Sequence, residues 1–173
     1  MKIQAALKES NIFLMKNNIR NSQLDSEILM SKVIGKDRKY IILNLNKILK
    51  KKEILKFKSL IEQRSKGKPI AYLTNKKFFW KYEFTVSDQI LIPRPDTELI
   101  VDQVLKMTKN KFKLKFLDVG IKYLERDVAD FEPKQALDGG IDGVSEIRKV
   151  IKKSSELIKK NGKLILEIAF DQK

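Results

Sequence analysis

The chain has 173 residues, of which 42% are hydrophobic and 34% are charged, and this length and composition allow one ordinary globular domain or two small ones. It contains no cysteine and no histidine, which excludes a disulfide framework, a thiol nucleophile, the usual zinc ligands and the usual general base at neutral pH. No apolar run reaches membrane-spanning length and residues 1–4 lack the apolar block of a signal peptide, so we expect a cytoplasmic protein with no membrane partner.

The formal net charge of +15 reflects 31 lysines and only 6 arginines, which are spread over every segment. Clustered cations gain affinity for nucleic acid by releasing counterions from phosphate, but two-pronged contacts to phosphates and bases are made mostly by arginine. The composition therefore favours a lysine-rich solvated surface, with no dedicated nucleic-acid site and no metal site. A weak, salt-sensitive attraction to RNA stays open.

The spacing of apolar residues predicts four helices within residues 1–75. The first covers residues 3–16. Its apolar side consists of Ile3, Ala6, Leu7 and Phe13. The second begins at a cap on Asn21 or Ser22 and ends at Gly35. Its apolar stripe consists of Leu24, Ile28, Leu29 and Val33.

Two further helices complete this part of the chain. Asp37 caps a brief third helix through residues 40–42, and a fourth runs from about 51 to 66, where Gly67 and Pro69 end it. The inward residues of the fourth helix are Ile54, Phe57, Leu60 and Ile61. Because four short helices bury little apolar surface alone, we expect the bundle to pack on another part of the protein.

The composition of residues 76–92 changes to β-forming side chains. These are Phe78, Phe79, Trp80, Tyr82, Phe84 and Val86. Alternation through residues 82–86, followed by a turn at residues 87–89, predicts a hairpin. The aromatic side chains can pack as a linker between two domains or stack on a nucleobase, and the sequence leaves both roles open.

Two prolines stiffen residues 92–98, because each fixes its own φ and forces the residue before it into an extended conformation. The second proline suits the first turn of a helix, and the acidic and hydroxyl side chains after it suit the positive end of that helix. The segment is either a capped strand-to-helix corner or a rigid corner that presents Arg94, Thr97 and Glu98 to a ligand. The helix that follows fades near Lys109.

A buried-type strand over residues 112–120 ends in Asp118, Val119 and Gly120. This ending is typical of nucleotide-binding α/β folds, in which a glycine turn lets backbone N–H groups approach the ligand. Asp118 could equally be a carboxylate that caps neighbouring N–H groups.

The last part of the chain repeats a helix and a strand. A helix over residues 145–160 is closed by Asn161-Gly162, and a second buried-type strand covers residues 163–169. We expect Lys115–Val119 to lie beside Leu164–Ala169 in a small parallel sheet.

Three segments share their order and spacing with one known family: Lys68–Leu73, Phe78–Val86 and Leu91–Leu99. Together with the strand end at Asp118-Val119-Gly120, they resemble the release factor glutamine methyltransferases of the PrmC/HemK family. The resemblance implies a helical N-terminal domain that helps to hold the protein substrate, and a Rossmann-like domain that binds S-adenosyl-methionine. It further implies a peptide chain release factor as partner. The lysine-rich charge, separately, leaves a weak ribosome contact open.

The resemblance also implies which residues lie at the cofactor. Asp118 and Gly120 match the start of the cofactor motif, and Arg94, Thr97 and Glu98 match the corner near it.

After Gly120 the resemblance breaks. Bulky residues 121–124 stand where the family has further glycines, and their side chains prevent the close backbone approach that glycine permits. An Asn-Pro-Pro-Tyr motif, which carries the chemistry of the family, occurs nowhere in the sequence. The resemblance resumes over residues 125–143 and stops at Gln172-Lys173, before the last strands of the family. We therefore expect an internal deletion, whether in the gene, in a reading frame or in a cloned segment.

These observations predict an α/β protein with an N-terminal helical bundle, a linking β-hairpin and a reduced Rossmann-like methyltransferase remnant. The predicted bounds are residues 1–75, 76–92 and 93–173. The lineage is that of a methyltransferase dependent on S-adenosyl-methionine, but the sequence offers no catalytic residue, and we expect cofactor binding to be absent or very weak. A non-catalytic module that binds a release factor and a fragment without its own function are the alternatives.

Overall fold

The computed structural model describes residues 1–109, 114–117 and 145–167. The chain divides into two compact units, Met1–Lys76 and Lys77–Lys173. None of the helices in these described ranges is both long enough and apolar enough to cross a membrane. The division into three parts at residues 75 and 92 stays a prediction.

The first unit, which we call the helical unit, consists of five helices. They are α1 (Ile3–Lys16), α2 (Ser22–Ile34), α3 (Arg38–Leu43), α4 (Lys51–Ser65) and α5 (Ile70–Thr74). The first four confirm the helices predicted from apolar spacing. The short helix α5 covers a segment for which the sequence predicted no helix, and it starts directly after Pro69.

The core of the helical unit lies between α1, α2 and α4. Its buried members are Ile3, Ala6, Leu14, Leu29, Met30, Ile41, Leu49, Phe57, Ile61 and Leu73. Two predicted core positions are wrong, because Phe13 is 44% exposed and Leu24 is 40% exposed. In both helices the next residue takes the inward place, which is Leu14 in α1 and the carboxylate Asp25 in α2.

Helix α2 turns a largely polar face into the helical unit. Its buried polar residues are Ser22, Asp25, Ser26 and Glu27. The two carboxylates are paired with arginines: Arg64 Nε donates to Asp25 Oδ2 at 2.7 Å, and Arg38 Nε donates to Glu27 Oε2 at 2.5 Å. Because a buried charge without a partner is strongly destabilising, these two arginines allow α2 to pack through this face.

The guanidinium of Arg64 also closes the end of α4. Its Nη1 donates to the carbonyl oxygens of Gly67 at 3.2 Å and of Lys68 at 3.0 Å. Gly67 has a φ of 93°, which a residue with a side chain rarely adopts. One side chain therefore joins α2, α4 and the loop that leads to α5.

A second polar contact fixes the end of α5. Lys32 Nζ on α2 donates to Oδ1 of Asn75 at 2.9 Å, and Asn75 ends α5 with a φ of 61°. Burial of the ammonium group, together with the nearby charge of Lys56, lowers the pKa of Lys32. The contact holds the last residues of the helical unit against α2.

A hairpin and two further helices are described after the helical bundle. They are β1 (Lys76–Phe79), β2 (Tyr82–Thr85), α6 (Thr97–Thr108) and α7 (Ser145–Leu157). The two strands form a two-stranded antiparallel sheet, which confirms the predicted hairpin. The two helices confirm those predicted from residue 95 and from residue 145.

The two segments that were predicted to pair as parallel strands are only partly described. Residues 114–117 and 162–167 carry no strand, and no pairing between them is observed over these positions. The neighbouring positions 118–120 and 168–169 lie outside the described residues. The Rossmann-like remnant therefore stays a prediction.

The predicted closure of this helix at Asn161-Gly162 is wrong, because α7 already ends at Leu157 and these two residues lie in a separate turn. Asn161 has a φ of 66°, and the N–H of Gly162 donates to the carbonyl oxygen of Lys159 at 2.8 Å. A Cβ atom at Gly162 would collide with Cγ2 of Ile158. A residue with a side chain at this position would therefore force the turn or Ile158 to shift.

We expect Arg64→Ala to lower the free energy of unfolding by about 3 kcal/mol, because the change leaves the buried Asp25 carboxylate without its cation. Chemical denaturation followed by circular dichroism measures the effect. Arg20→Ala removes an exposed arginine between α1 and α2 and should change stability by no more than about 0.5 kcal/mol. Equal losses in the two variants would contradict the role assigned to Arg64.

Candidate functional site

The hairpin turns through two residues, Trp80 and Lys81. Trp80 has a φ of 53°, in the left-handed region that bulky side chains rarely adopt. Two-residue hairpin turns need a positive φ at their first central position, and glycine or asparagine usually supplies it. A tryptophan in this position therefore indicates that contacts of the indole ring hold the turn.

Three contacts surround the indole of Trp80. Its Nε1 donates to Oδ1 of Asp102, on α6, at 3.1 Å. Nζ of Lys81 lies 4.3 Å from the centroid of the indole ring, and the ring of Tyr82 lies 6.0 Å away at an angle of 45°. The hydrogen bond connects the hairpin to α6, and the lysine places a cation over the negative face of the ring.

The hairpin carries further aromatic side chains on one face. Phe79 and Phe84 pack edge to face, with their centroids 6.0 Å apart and their planes at 74°. Across a two-residue turn Phe79 pairs with Tyr82, so all three rings lie on the same face of the hairpin. Phe79 is half-buried, whereas Tyr82 and Phe84 are exposed. An aromatic face of this kind is compatible with both predicted roles, packing between two domains and stacking on a nucleobase, so both stay predictions.

The corner predicted from two prolines leads directly into α6. The N–H of Glu98 donates to the carbonyl oxygen of Pro95 at 3.0 Å, and the N–H of Leu99 donates to that of Asp96 at 3.1 Å. The helix itself begins at Thr97, and the side chain of Asp96 makes no capping hydrogen bond. The predicted cap is therefore wrong, because Asp96 already has helical angles of φ −64° and ψ −31°, whereas a capping residue is extended.

The corner collects three of the five residues that were predicted to lie at a cofactor. Arg94, Thr97 and Glu98 fall within five consecutive positions, and all three are half-buried. The other two, Asp118 and Gly120, lie outside the described residues.

Asp102 is a residue of this region that the sequence did not single out. It follows Glu98 by four positions on α6, so the two carboxylates lie on the same face of the helix. Trp80 is the single tryptophan of the chain, and an indole N–H that is partly buried needs an acceptor. The signal in the sequence is therefore a carboxylate on the next predicted helix that can accept a hydrogen bond from the indole N–H of Trp80, and Asp102 is such a carboxylate.

A family model described as the PrmC N-terminal domain matches residues 5–74. These residues lie inside the helical unit, Met1–Lys76, and fill it almost from end to end. The match therefore concerns one compact unit of the structure.

Curated relatives match larger parts of the chain. A release factor glutamine methyltransferase of Buchnera aphidicola subsp. Baizongia pistaciae is 35% identical over 165 residues, which cover 95% of this chain and 57% of that protein. One of Leptospira interrogans is 39% identical over 103 residues, covering 60% of this chain and 36% of that protein. One of Clostridium botulinum is 26% identical over 237 residues, covering 92% of this chain and 84% of that protein. The chain thus spans little more than half of the first relative and about a third of the second.

We expect Asp102→Ala to shift the fluorescence emission of Trp80 to longer wavelength, because loss of the acceptor lets water reach the indole ring. Trp80 is the only tryptophan, so the emission spectrum reports on this contact alone. The free energy of unfolding should fall by about 1 kcal/mol.

Gln103→Ala is the matched control, since it changes the adjacent exposed residue of α6. Its emission should equal that of the unmodified chain. An unchanged spectrum in Asp102→Ala would contradict the assigned hydrogen bond.

Proposed function

Because the chain belongs to the PrmC/HemK family, we propose that the activity of its lineage is methyl transfer from S-adenosyl-methionine to a glutamine side-chain amide in a peptide chain release factor. Several of the relatives that match it are release factor glutamine methyltransferases, which supports this substrate and this reaction. One observation carries the proposal: the PrmC N-terminal match fills a compact helical unit. In this proposal the helical unit holds the release factor.

We further propose that this chain, as its sequence stands, binds the release factor and transfers no methyl group. An amide nitrogen is a poor nucleophile because its lone pair is delocalised into the carbonyl group. Transfer to it therefore depends on orientation and on acceptors that bind both of its N–H groups. In the family, the Asn side chain and a proline carbonyl of the Asn-Pro-Pro-Tyr motif resemble those acceptors. This sequence contains no such tetrad.

The candidate cofactor residues are proposed as the remaining part of a binding site for S-adenosyl-methionine. They are Asp118, Gly120, Arg94, Thr97 and Glu98. A complete site of this kind needs a glycine-rich turn and an acidic partner for the ribose. Bulky residues follow Gly120, so the sequence does not fit the whole cofactor, and we expect its binding to be absent or very weak.

The alignment with the Clostridium botulinum relative supports the loss of an internal segment. It is 237 residues long, whereas the chain has 173, so at least 64 aligned positions (237 less 173) have no residue from this chain. The alignment with the Buchnera relative is 165 residues long and covers 95% of the chain, so it contains few unmatched positions and does not itself support the loss. Sequencing the coding DNA around codon 120 tests whether a segment was lost. Additional in-frame codons would mean that the gene encodes a segment that the amino-acid sequence omits. Their absence would mean that the gene itself lacks the segment.

We expect the purified chain to bind a purified peptide chain release factor in isothermal titration calorimetry and to give no heat when S-adenosyl-methionine is titrated. In an assay with S-adenosyl-methionine that carries a radioactive methyl group, the release factor should stay unlabelled. The physical reason is that the docking unit is present, whereas the groups that orient the amide are absent from the sequence.

The control is the Clostridium botulinum relative, which should label the same release factor under the same conditions. Radioactive methyl incorporated by this chain would contradict the loss of transfer. Absence of heat with the release factor would contradict the docking role.

A further inference from the structure

A groove on the helical unit lies between α1, α2 and α3 and has a volume of about 490 Å³. We call it the three-helix groove. Its polar lining includes Lys8 of α1, Glu27 of α2 and Arg38 of α3, and its apolar lining includes Leu7 and Ile42. All of its lining residues except Gln4 lie within residues 5–74, which match the PrmC N-terminal model.

The carboxylate of Glu27 holds the guanidinium of Arg38 by one edge. Oε2 of Glu27 accepts from Nε of Arg38 at 2.5 Å, and Oε1 accepts from Nε2 of Gln23 at 3.2 Å. The Glu27 side chain is only 9% exposed, whereas that of Arg38 is 52% exposed. Both oxygens of the buried carboxylate are therefore satisfied from within the helical unit.

The two Nη groups of Arg38 remain available at the groove. Within the described residues, Nε to Glu27 is the single hydrogen bond of this guanidinium. A guanidinium carries five N–H donors, and its Nη groups form a planar fork that matches a carboxylate. The ion pair therefore orients the fork without using it.

Helix α3 fixes the backbone of Arg38. Oδ1 of Asp37 accepts from the N–H of Tyr40 at 2.8 Å and caps the helix, so Arg38 stands at its first position. One turn later Ile42 also lines the groove, with 47% of its surface exposed. A cation and an aliphatic side chain are thus presented side by side by one helix.

We infer that the three-helix groove binds a segment of the release factor in which an aspartate or glutamate lies next to an aliphatic residue. This inference rests on the docking role proposed above. The acidic side chain pairs with the Nη fork of Arg38 and with the charge of Lys8, while the aliphatic side chain packs on Leu7 and Ile42. A carboxylate in this place accepts hydrogen bonds from the two Nη groups of Arg38, which do not bond to Glu27.

The lining of the groove argues for a peptide over RNA. Its apolar side chains, which include Leu7 and Ile42, offer a packing surface to an aliphatic side chain and no hydrogen bond to a phosphate or a base. Binding of nucleic acid is instead typical of rows of cations along an open surface.

The test measures the affinity of the full chain for a purified release factor by isothermal titration calorimetry in two matched pairs of variants. Arg38→Lys keeps the charge beside Glu27 but removes the fork, and Arg20→Lys makes the same change at an exposed arginine that does not line the groove. Ile42→Asp places a negative charge in the groove, and Leu43→Asp places it on the adjacent, 72% exposed residue of α3.

We expect Arg38→Lys and Ile42→Asp to weaken binding by about tenfold or more, and the two controls to change it less than about twofold. Thermal unfolding followed by circular dichroism confirms that all four variants are folded. If the chain binds and both groove variants bind equally well, the groove assignment is overturned while the docking role stands. If the unmodified chain does not bind the release factor, the groove assignment and the docking role are both contradicted. Loss of affinity for a ribosomal RNA oligonucleotide, with release factor binding unchanged, also overturns the peptide assignment.

Discussion

Two buried carboxylates on α2 determine how the helical unit is built. Asp25 and Glu27 can be buried only because arginines from α4 and α3 reach them. Since Arg64 also binds the carbonyl groups after α4, the same interaction sets where the chain turns toward α5. Removal of a buried ion pair is often tolerated when both partners are replaced by apolar residues, but loss of a single partner is not. The packing of three helices therefore depends on a small number of charges.

The distribution of charge in the helical unit follows from this use of carboxylates. Residues 1–76 contain 18 lysines and arginines but only six acidic residues. Five of the six acidic residues accept a hydrogen bond from a cation or from a helix N-terminus. These are Asp25, Glu27, Asp37, Glu53 and Glu62. The acidic groups thus serve the fold, while most lysines stay at the surface and give the helical unit an excess of positive charge.

Much of the helical unit could be predicted from the sequence, because apolar periodicity is local information. The bounds of α1 and the cap on α3 follow from neighbouring residues alone. The errors at Phe13 and Leu24 have a different origin. Adjacent positions of a helix differ by about 100°, so the inward direction is decided by partners elsewhere, and Asp25 meets an arginine 39 residues away.

The candidate site was predictable to a smaller extent. The prolines indicated the corner, but the backbone angles of Asp96 depend on how α6 starts, and this removed the expected cap. The positive φ of Trp80 could not be predicted either, since it is stabilised by a carboxylate 22 residues further along. In each case the sequence identified the segment, while contacts from a distant residue decided its conformation.

The backbone conformation and the hydrogen bond of Asn75 restrict which residues can replace it during evolution. Its φ of 61° favours glycine, asparagine or aspartate, and of these only asparagine and aspartate retain a side-chain oxygen for Lys32. Codon changes at position 75 are therefore restricted to very few substitutions, and each of them acts jointly with position 32. Even where other surface positions change to lysine, we expect positions 32 and 75 to change only together, because each side chain is the hydrogen-bond partner of the other.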